Sequence, residues 1–250
     1  MLSIDPVSTT LVRLTMDRPP ANALSHDLVK ALRDAFLRLG EEAGAPAIIL
    51  TAAGDRFFSA GGDIREVATD HSVAVPRMHS FHEMLVAIER YPRPVLCAVN
   101  GYAVGGAMEL LLHSDYVVAS DTARFGFPEI NHGLLPAAKG IRQAVNRLGR
   151  RAAERLLYSG ELISSEKARD IGLVDVVVAP DELQGHVRAQ ADRMRSKDMH
   201  LFAAIKATLN HAAMETDTEL ETRSIEDMKL YLNREEAAAA REQFLQRKAT

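Results

Sequence analysis

The sequence has no tryptophan and a single cysteine, Cys97, among its 250 residues. One thiol cannot close an intrachain disulfide, which excludes a cross-linked secreted scaffold and points to a reducing compartment. Cys97 stands in an apolar run and reads as a small core residue rather than a nucleophile. Aromatic residues make up 5% of the chain against 47% hydrophobic overall, so the core must be mainly aliphatic. An excess of positive charge is also lacking. The formal net charge is −4, which argues against a general binder of nucleic acid or of an anionic membrane surface. No apolar stretch approaches the ~20 residues of a membrane span. The opening MLSIDPVSTT has neither the basic nor the long apolar segment of a signal peptide. A cytoplasmic location is expected. Internal repeats and low-complexity linkers are missing as well.

Several standard site signatures are absent. Gly101-x-x-x-Gly105-Gly106 does not fit the dinucleotide pattern G-x-G-x-x-G, and Lys139-Gly140 has the wrong order for a phosphate-binding Walker loop. Phe57 replaces the first glycine that a G-x-S-x-G elbow around Ser59 would need. His79 and His82 lie one helical turn apart without clustered carboxylates or thiols, so no metal site is expected.

What is present reads as alternating strands and helices. Residues 10–16 form a β-branched strand. Ser25 caps a helix to about Leu39, with Leu28, Leu32 and Phe36 on one face. Residues 47–51 form a buried strand, and 52–62 a loop of small residues that lets backbone approach a ligand. A short helix is expected over 63–68, a mobile polar segment over 69–76, and a helix from Met78 to before Pro92. Beyond the central stretch, helices over 139–148 and 151–158 join at Gly149. Ser164 or Ser165 caps another helix, residues 173–178 form a last strand, and helix dominates after Pro180, including 235–248. The pattern predicts an α/β core with a helical C-terminal appendage.

The chemistry concentrates in residues 94–136. Glu109 follows the pair Gly105-Gly106 and precedes Leu110-Leu111-Leu112, where a carboxylate is costly to desolvate. A helix starting near Gly105 directs unpaired N–H groups and its positive dipole end outward, so Gly106 N–H can meet a developing oxyanion. Glu109, three residues on, falls on a similar face. Glu129, in a turn after Phe127-Pro128, can return to the same pocket. Two carboxylates on one pocket suit acid/base work, because burial and repulsion separate their proton affinities.

These motifs, with Arg18-Pro19…Asn22-Ala23-Leu24, Phe58-Ser59-Ala60-Gly61-Gly62-Asp63-Ile64, Asn100-Gly101-Tyr102-Ala103-Val104-Gly105-Gly106-Ala107-Met108-Glu109-Leu110 and Phe125-Gly126-Phe127-Pro128-Glu129, run along essentially the whole chain. The chain resembles the crotonase (enoyl-CoA hydratase/isomerase) superfamily. The resemblance implies an α/β fold, the crotonase (ClpP-like) spiral of ββα units, over residues 1–195. It implies a helical C-terminal trimerisation region over 196–250, and assembly as a homotrimer or as a homohexamer made of two trimers. It further implies an acyl-CoA substrate, with CoA entering as part of the substrate and no separate cofactor or metal.

Carried onto this sequence, the family's oxyanion hole maps to the N–H groups of Ala60 and Gly106, and its hydratase carboxylates to Glu109 and Glu129. Contacts to the CoA thioester map to Ala23, Ala60, Gly61, Gly62, Asp63, Ile64 and Gly106, with Phe244 and Lys248 of the tail. Having both carboxylates favours a 2-enoyl-CoA hydratase. The alternatives are an enoyl-CoA delta-isomerase or other enolate chemistry in the same pocket, and, from a different class, a non-catalytic acyl-CoA- or RNA-binding member. The stretch Pro136-Ala137-Ala138-Lys139-Gly140-Ile141 differs from the Pro-Gly-x-Gly-Gly-Thr usual in hydratases, and Phe127 and Asn131-His132 also depart from the usual pattern.

Overall fold

In the computed structural model the described residues are 1–42, 44–66, 71–136, 138–211, 225, 234 and 239. The chain divides into two compact units, Met1–Asp192 and Arg193–Thr250. The first begins with strands β1 (Leu2–Ser8) and β2 (Leu11–Met16), which pair antiparallel. The β1 strand was not expected from the sequence. It is an edge strand, where Pro6 leaves no interior ladder bond unmade. Helix α1 (His26–Glu41) starts where the capping residue predicts: Ser25 Oγ accepts from Leu28 N–H at 3.3 Å. Its buried face carries Leu28, Leu32 and Phe36. Phe36 meets Tyr91 edge-on at 5.5 Å, and Tyr91 in turn donates to Pro46 O at 2.7 Å.

Three ββα units follow. The first is β3 (Ala47–Ala52), β4 (Phe57–Ser59) and α2 (His71–Glu89). The second is β5 (Val95–Val99), β6 (Tyr102–Val104) and α3 (Gly106–His113). The third is β7 (Tyr116–Ser120), β8 (Arg124–Gly126) and α4 (Gly140–Leu148). In each unit the first strand joins a six-stranded sheet and the second joins a four-stranded one. The chain therefore steps forward one strand in both sheets per unit, which is a spiral. Parallel pairing runs from β2 through β3 and β5 to β7, and separately from β4 through β6 to β8. β3 and β5 are buried along their whole length, as continuous apolar runs in a covered parallel sheet should be. Cys97 lies fully buried in β5, and burial pushes its thiol up to about 12.

Helix α5 (Arg150–Ser159), strand β9 (Ile163–Ser164), helix α6 (Ser165–Asp170), strand β10 (Val176–Val178) and helix α7 (Leu183–Arg195) complete the run. Gly149, at φ 76°, separates α4 from α5 as the sequence suggests, and Ser164 caps α6 by accepting from Lys167 N–H at 3.2 Å. β10 adds to the large sheet beside β7. The helix expected from Met78 begins seven residues earlier, at His71, with Pro76 inside it, so part of the expected mobile segment is helical. In the second unit, α8 (Met199–His211) is helical as expected. Phe244, Lys248 and most of the expected helix 235–248 lie outside the described residues.

Candidate active site

The second ββα unit aims a helix end at a cavity. Gly105 takes φ 59° and donates its N–H to Gly126 O at 2.9 Å, which fixes the turn between β6 and α3. Gly106 is then the first residue of α3, and its N–H has no partner among the described residues. All eight residues of α3 are buried, so packing rather than intrinsic propensity holds this short helix. A side chain at Gly106 would strike Phe81, whose Cζ would stand 2.9 Å from an added Cβ.

The first unit brings a loop against that end. An added Cβ at Gly61, where φ is +82°, would lie 2.6 Å from Val104 O and 3.0 Å from Gly106 N. The loop is held from the other side by residues 21–24. Asn22, itself at φ 49°, accepts from Arg18 N–H and donates from Nδ2 to Ala53 O and Phe57 O, each at 2.9 Å. A short ladder follows. Ala60 N–H donates to Ala21 O at 2.9 Å, Leu24 N–H to Gly61 O at 2.8 Å, and Asp63 N–H to Leu24 O at 3.3 Å.

This ladder corrects the expected oxyanion hole. The Ala60 N–H is engaged by Ala21, and the Gly61 N–H by Ser59 Oγ at 3.1 Å. Within 60–63 the Gly62 N–H remains without a partner among the described residues, and Gly62 lines the cavity beside Gly106. The fixed donor next to Gly106 is therefore Gly62 and not Ala60. Ala60 contributes lining and, with Gly61, the tie that places Gly62.

Asp63 has a further structural role. Its buried carboxylate takes Arg65 Nη2 at 2.9 Å and Arg18 Nη2 at 2.6 Å. The hydrogen bond from Arg65 and the added grip of Arg18 hold it well below the usual carboxylate range, so it stays ionised and braces the loop. Ala23 and Ile64 line the cavity nearby, and Ile64 is 61% exposed.

Both expected carboxylates face the same cavity, which measures about 650 Å3. Glu109 is 3% exposed. Its Oε2 accepts from Lys139 N–H at 2.8 Å, and the Gly140 amide adds a second backbone donor. Gly140 opens α4, so Glu109 sits on the positive end of that helix. The approach is tight: an added Cβ at Gly140 would be 2.9 Å from Glu109 Cδ. Burial nevertheless dominates and raises the Glu109 carboxyl to about 7, with the Glu129 charge adding to the rise. Glu129 belongs to a 3-10 turn, Pro128–His132, whose Asn131 Nδ2 donates to Gly160 O at 3.1 Å. Burial raises Glu129 as well, and its Oε2 is buried without a protein partner among the described residues. Gly105 gives Glu129 its room, since an added Cβ there would be 3.0 Å from Glu129 Oε1.

The environments of the two acids thus differ in one respect that chemistry can use. Glu109 faces backbone donors that favour its ionised form. Glu129 Oε2 meets no protein donor among the described residues, and only the residue's own backbone N–H favours its ionised form. Sequence reasoning did not foresee the Lys139 and Gly140 amides; the one signal was the unusual loop 136–141.

The Enoyl-CoA hydratase/isomerase family model matches residues 7–249. The crotonyl-CoA hydratase of Syntrophomonas wolfei is 34% identical over 209 residues, 83% of this chain and 80% of the relative. A probable enoyl-CoA hydratase of Bacillus subtilis is 36% identical over 183 residues, 71% of this chain and 69% of the relative. Among solved structures, an enoyl-CoA hydratase of Mycobacterium smegmatis superposes with a TM-score of 0.91 at 29% identity, covering 98% of this chain and 96% of that one.

Proposed function

The chain belongs to the enoyl-CoA hydratase/isomerase family, and on that footing we propose that it is a 2-enoyl-CoA hydratase, adding water reversibly across the 2,3 double bond of an acyl-CoA thioester. One observation carries the reading. Two carboxylates raised by burial share a cavity with two backbone amides that have no partner among the described residues. The relatives named for hydratase activity support the same conclusion.

The thioester carbonyl oxygen accepts from Gly62 N–H and Gly106 N–H. As water oxygen bonds to C3, the C2–C3 π electrons move toward the thioester and charge gathers on that oxygen, where the dipole of α3 also acts. Glu109 is ionised, oriented by Lys139 and Gly140, and takes a proton from the attacking water. Glu129, raised by burial, acts from its protonated form and delivers that proton to C2. The product gains one water in total, and the two acids exchange roles for dehydration. Donors fixed in advance at such a hole are worth about 10²–10³ in rate each. Backbone amides and carboxylates supply both charge stabilisation and proton transfer, so the proposal needs no metal or redox cofactor; CoA arrives with the substrate.

Assembly as a homotrimer or a pair of trimers belongs to the same proposal, with residues beyond 195 as the oligomerisation region. Supporting it, Ile205 and Leu209 of α8 lie one turn apart and are 59% and 72% exposed. Among the described residues no helix is long and apolar enough to cross a membrane.

The test follows crotonyl-CoA by the loss of enoyl-thioester absorbance, in 18O-labelled water with mass detection. Glu109→Gln and Glu129→Gln are each expected to lower kcat by about 10²–10⁴. Hydration that survives undiminished in both variants refutes the assignment. Double-bond migration without 18O uptake would instead identify an isomerase.

A further inference from the structure

We propose that Lys139 is a positioning residue for Glu109, its ammonium group anchored on Glu89 so that the backbone amides opening α4 stay locked on the Glu109 carboxylate. The inference rests on the reading of Glu109 as the group that activates water. Backbone chemistry accounts for an amide at position 139. It does not account for a lysine there, in a loop that must pass close to a buried acid.

The side chain has its own bond. Lys139 Nζ pairs with the Glu89 carboxylate of α2, and the two side chains are only 16% and 13% exposed. Neither Lys139 nor Glu89 is among the residues that line the cavity. Glu89 also faces α3. His113 Nε2 lies 3.9 Å from Glu89 Oε2, and His113 Nδ1 lies 2.7 Å from the Glu109 carbonyl oxygen. A carbonyl only accepts, so Nδ1 carries the proton and Nε2 is the bare nitrogen of a neutral ring. Burial lowers His113 to about 4, consistent with that form. One cluster therefore joins α2, the helix that carries Glu109, and the start of α4. The Glu89–Lys139 pair is its tension member.

The loop needs such a member. Gly140 is free of a side chain because the Glu109 carboxyl presses on it, and glycine adds backbone freedom at the place where the carboxylate must be fixed. Without the ammonium group the loop loses its tie to the Glu89 carboxylate of α2 and is free to shift. A reacting group displaced by about 1 Å can lose about 10²-fold in rate.

The experiment compares Lys139→Met, Lys139→Arg and Glu89→Gln in the full-length protein. Kinetics with crotonyl-CoA are read as kcat and KM over pH. The Glu109 carboxyl itself is titrated by infrared difference spectra against Glu109→Gln. Lys139→Met is expected to lower kcat by about 10–10²-fold while KM changes by less than about threefold, the pattern of a group that acts on the transition state. Its kcat should also need a higher pH, because looser amides favour the ionised acid less. The groups that face Glu109 or its brace are Glu129, His113, Glu89 and Lys139, with Arg147 acting on His113. A guanidinium in place of the ammonium can still pair with Glu89, so Lys139→Arg should recover most of kcat and the original pH profile. Glu89→Gln should resemble Lys139→Met.

Wild-type kcat and pH profile in Lys139→Met would overturn the inference, as would an arginine variant no better than the methionine one. If the wild type fails to hydrate crotonyl-CoA, the hydratase reading falls by itself. The infrared titration then decides the brace alone: a Glu109 carboxyl that titrates higher in Lys139→Met upholds it, and an unmoved one refutes it.

Discussion

Replacing Glu109 with glutamine should make the protein more stable at alkaline pH while removing its activity. Burial raises the Glu109 carboxyl from about 4.5 to about 7. Between those values the folded protein holds a proton that the unfolded chain has released. Stability therefore falls as pH rises through this window and reaches its low plateau above pH ~7. At about 1.36 kcal/mol per pKa unit the loss comes to about 3 kcal/mol. Glutamine has nothing to titrate and keeps one oxygen to accept from the Lys139 amide. The assay is urea unfolding of wild type and Glu109→Gln at pH 5 and pH 8. Protein concentration is held equal, since any assembly shifts the midpoint by mass action. The stability difference between the two proteins should move by up to about 3 kcal/mol in favour of the variant on going to pH 8. The Glu129 carboxyl is raised in the same direction in both proteins and largely cancels. A difference that stays constant between the two pH values would refute the buried, raised acid on which the mechanism depends.

The same acid sets the pH dependence of turnover. Hydration requires ionised Glu109, so kcat should fall about tenfold per pH unit below pH ~7, where the carboxylate takes up a proton. The Glu129 charge contributes to the raised Glu109 value, so Glu129→Gln should move the acid limb to lower pH; initial-rate assays with crotonyl-CoA across pH check both. The loop geometry gives a paired comparison. Gly61→Ala is strained by φ +82° and by Val104 O at 2.6 Å, so it should push the Gly62 amide away from Gly106 and lower kcat/KM by about 10²-fold. Gly62→Ala meets nothing within 4 Å and should melt close to wild type by circular dichroism, whereas an equally depressed melting temperature in both would contradict the placement of the loop.

Much of this was legible in the sequence where the signal is local. Ser25, Gly149 and Ser164 mark helix ends because capping and left-handed turns involve residues only a few positions apart. Glu109 among leucines signalled an unusual burial, and the structure places it 3% exposed. The strands β4, β6 and β8 were not legible. Each has three residues, too few to display an alternation, and each exists because a neighbouring unit of the spiral supplies its ladder. The start of α2 was misplaced because Pro76 reads as a boundary in isolation, whereas here the helix continues through it. The donor amide was misplaced for a related reason. In Ala60-Gly61-Gly62 every residue offers the same N–H, and which one stays free depends on Ala21 and Leu24, some forty positions away.

Lys139 carries that reasoning one step further. A site built from backbone amides constrains the path of the chain and leaves side-chain identity open wherever there is room. At Gly140 there is none, because Glu109 Cδ would stand 2.9 Å from an added Cβ. The residue at position 139 is not among those that line the cavity, and a long cation can be recruited there to hold the path in place. A glycine lost from the loop is then compatible with an amide kept on the carboxylate, provided a partner such as Glu89 lies within reach. The substitution that looks like damage to the loop is, on this geometry, an exchange of intrinsic turn preference for an ion pair. The two solutions differ in a way chemistry can feel: a loop held by an ion pair weakens when its carboxylate partner is neutralised, and a loop held by glycine conformation does not.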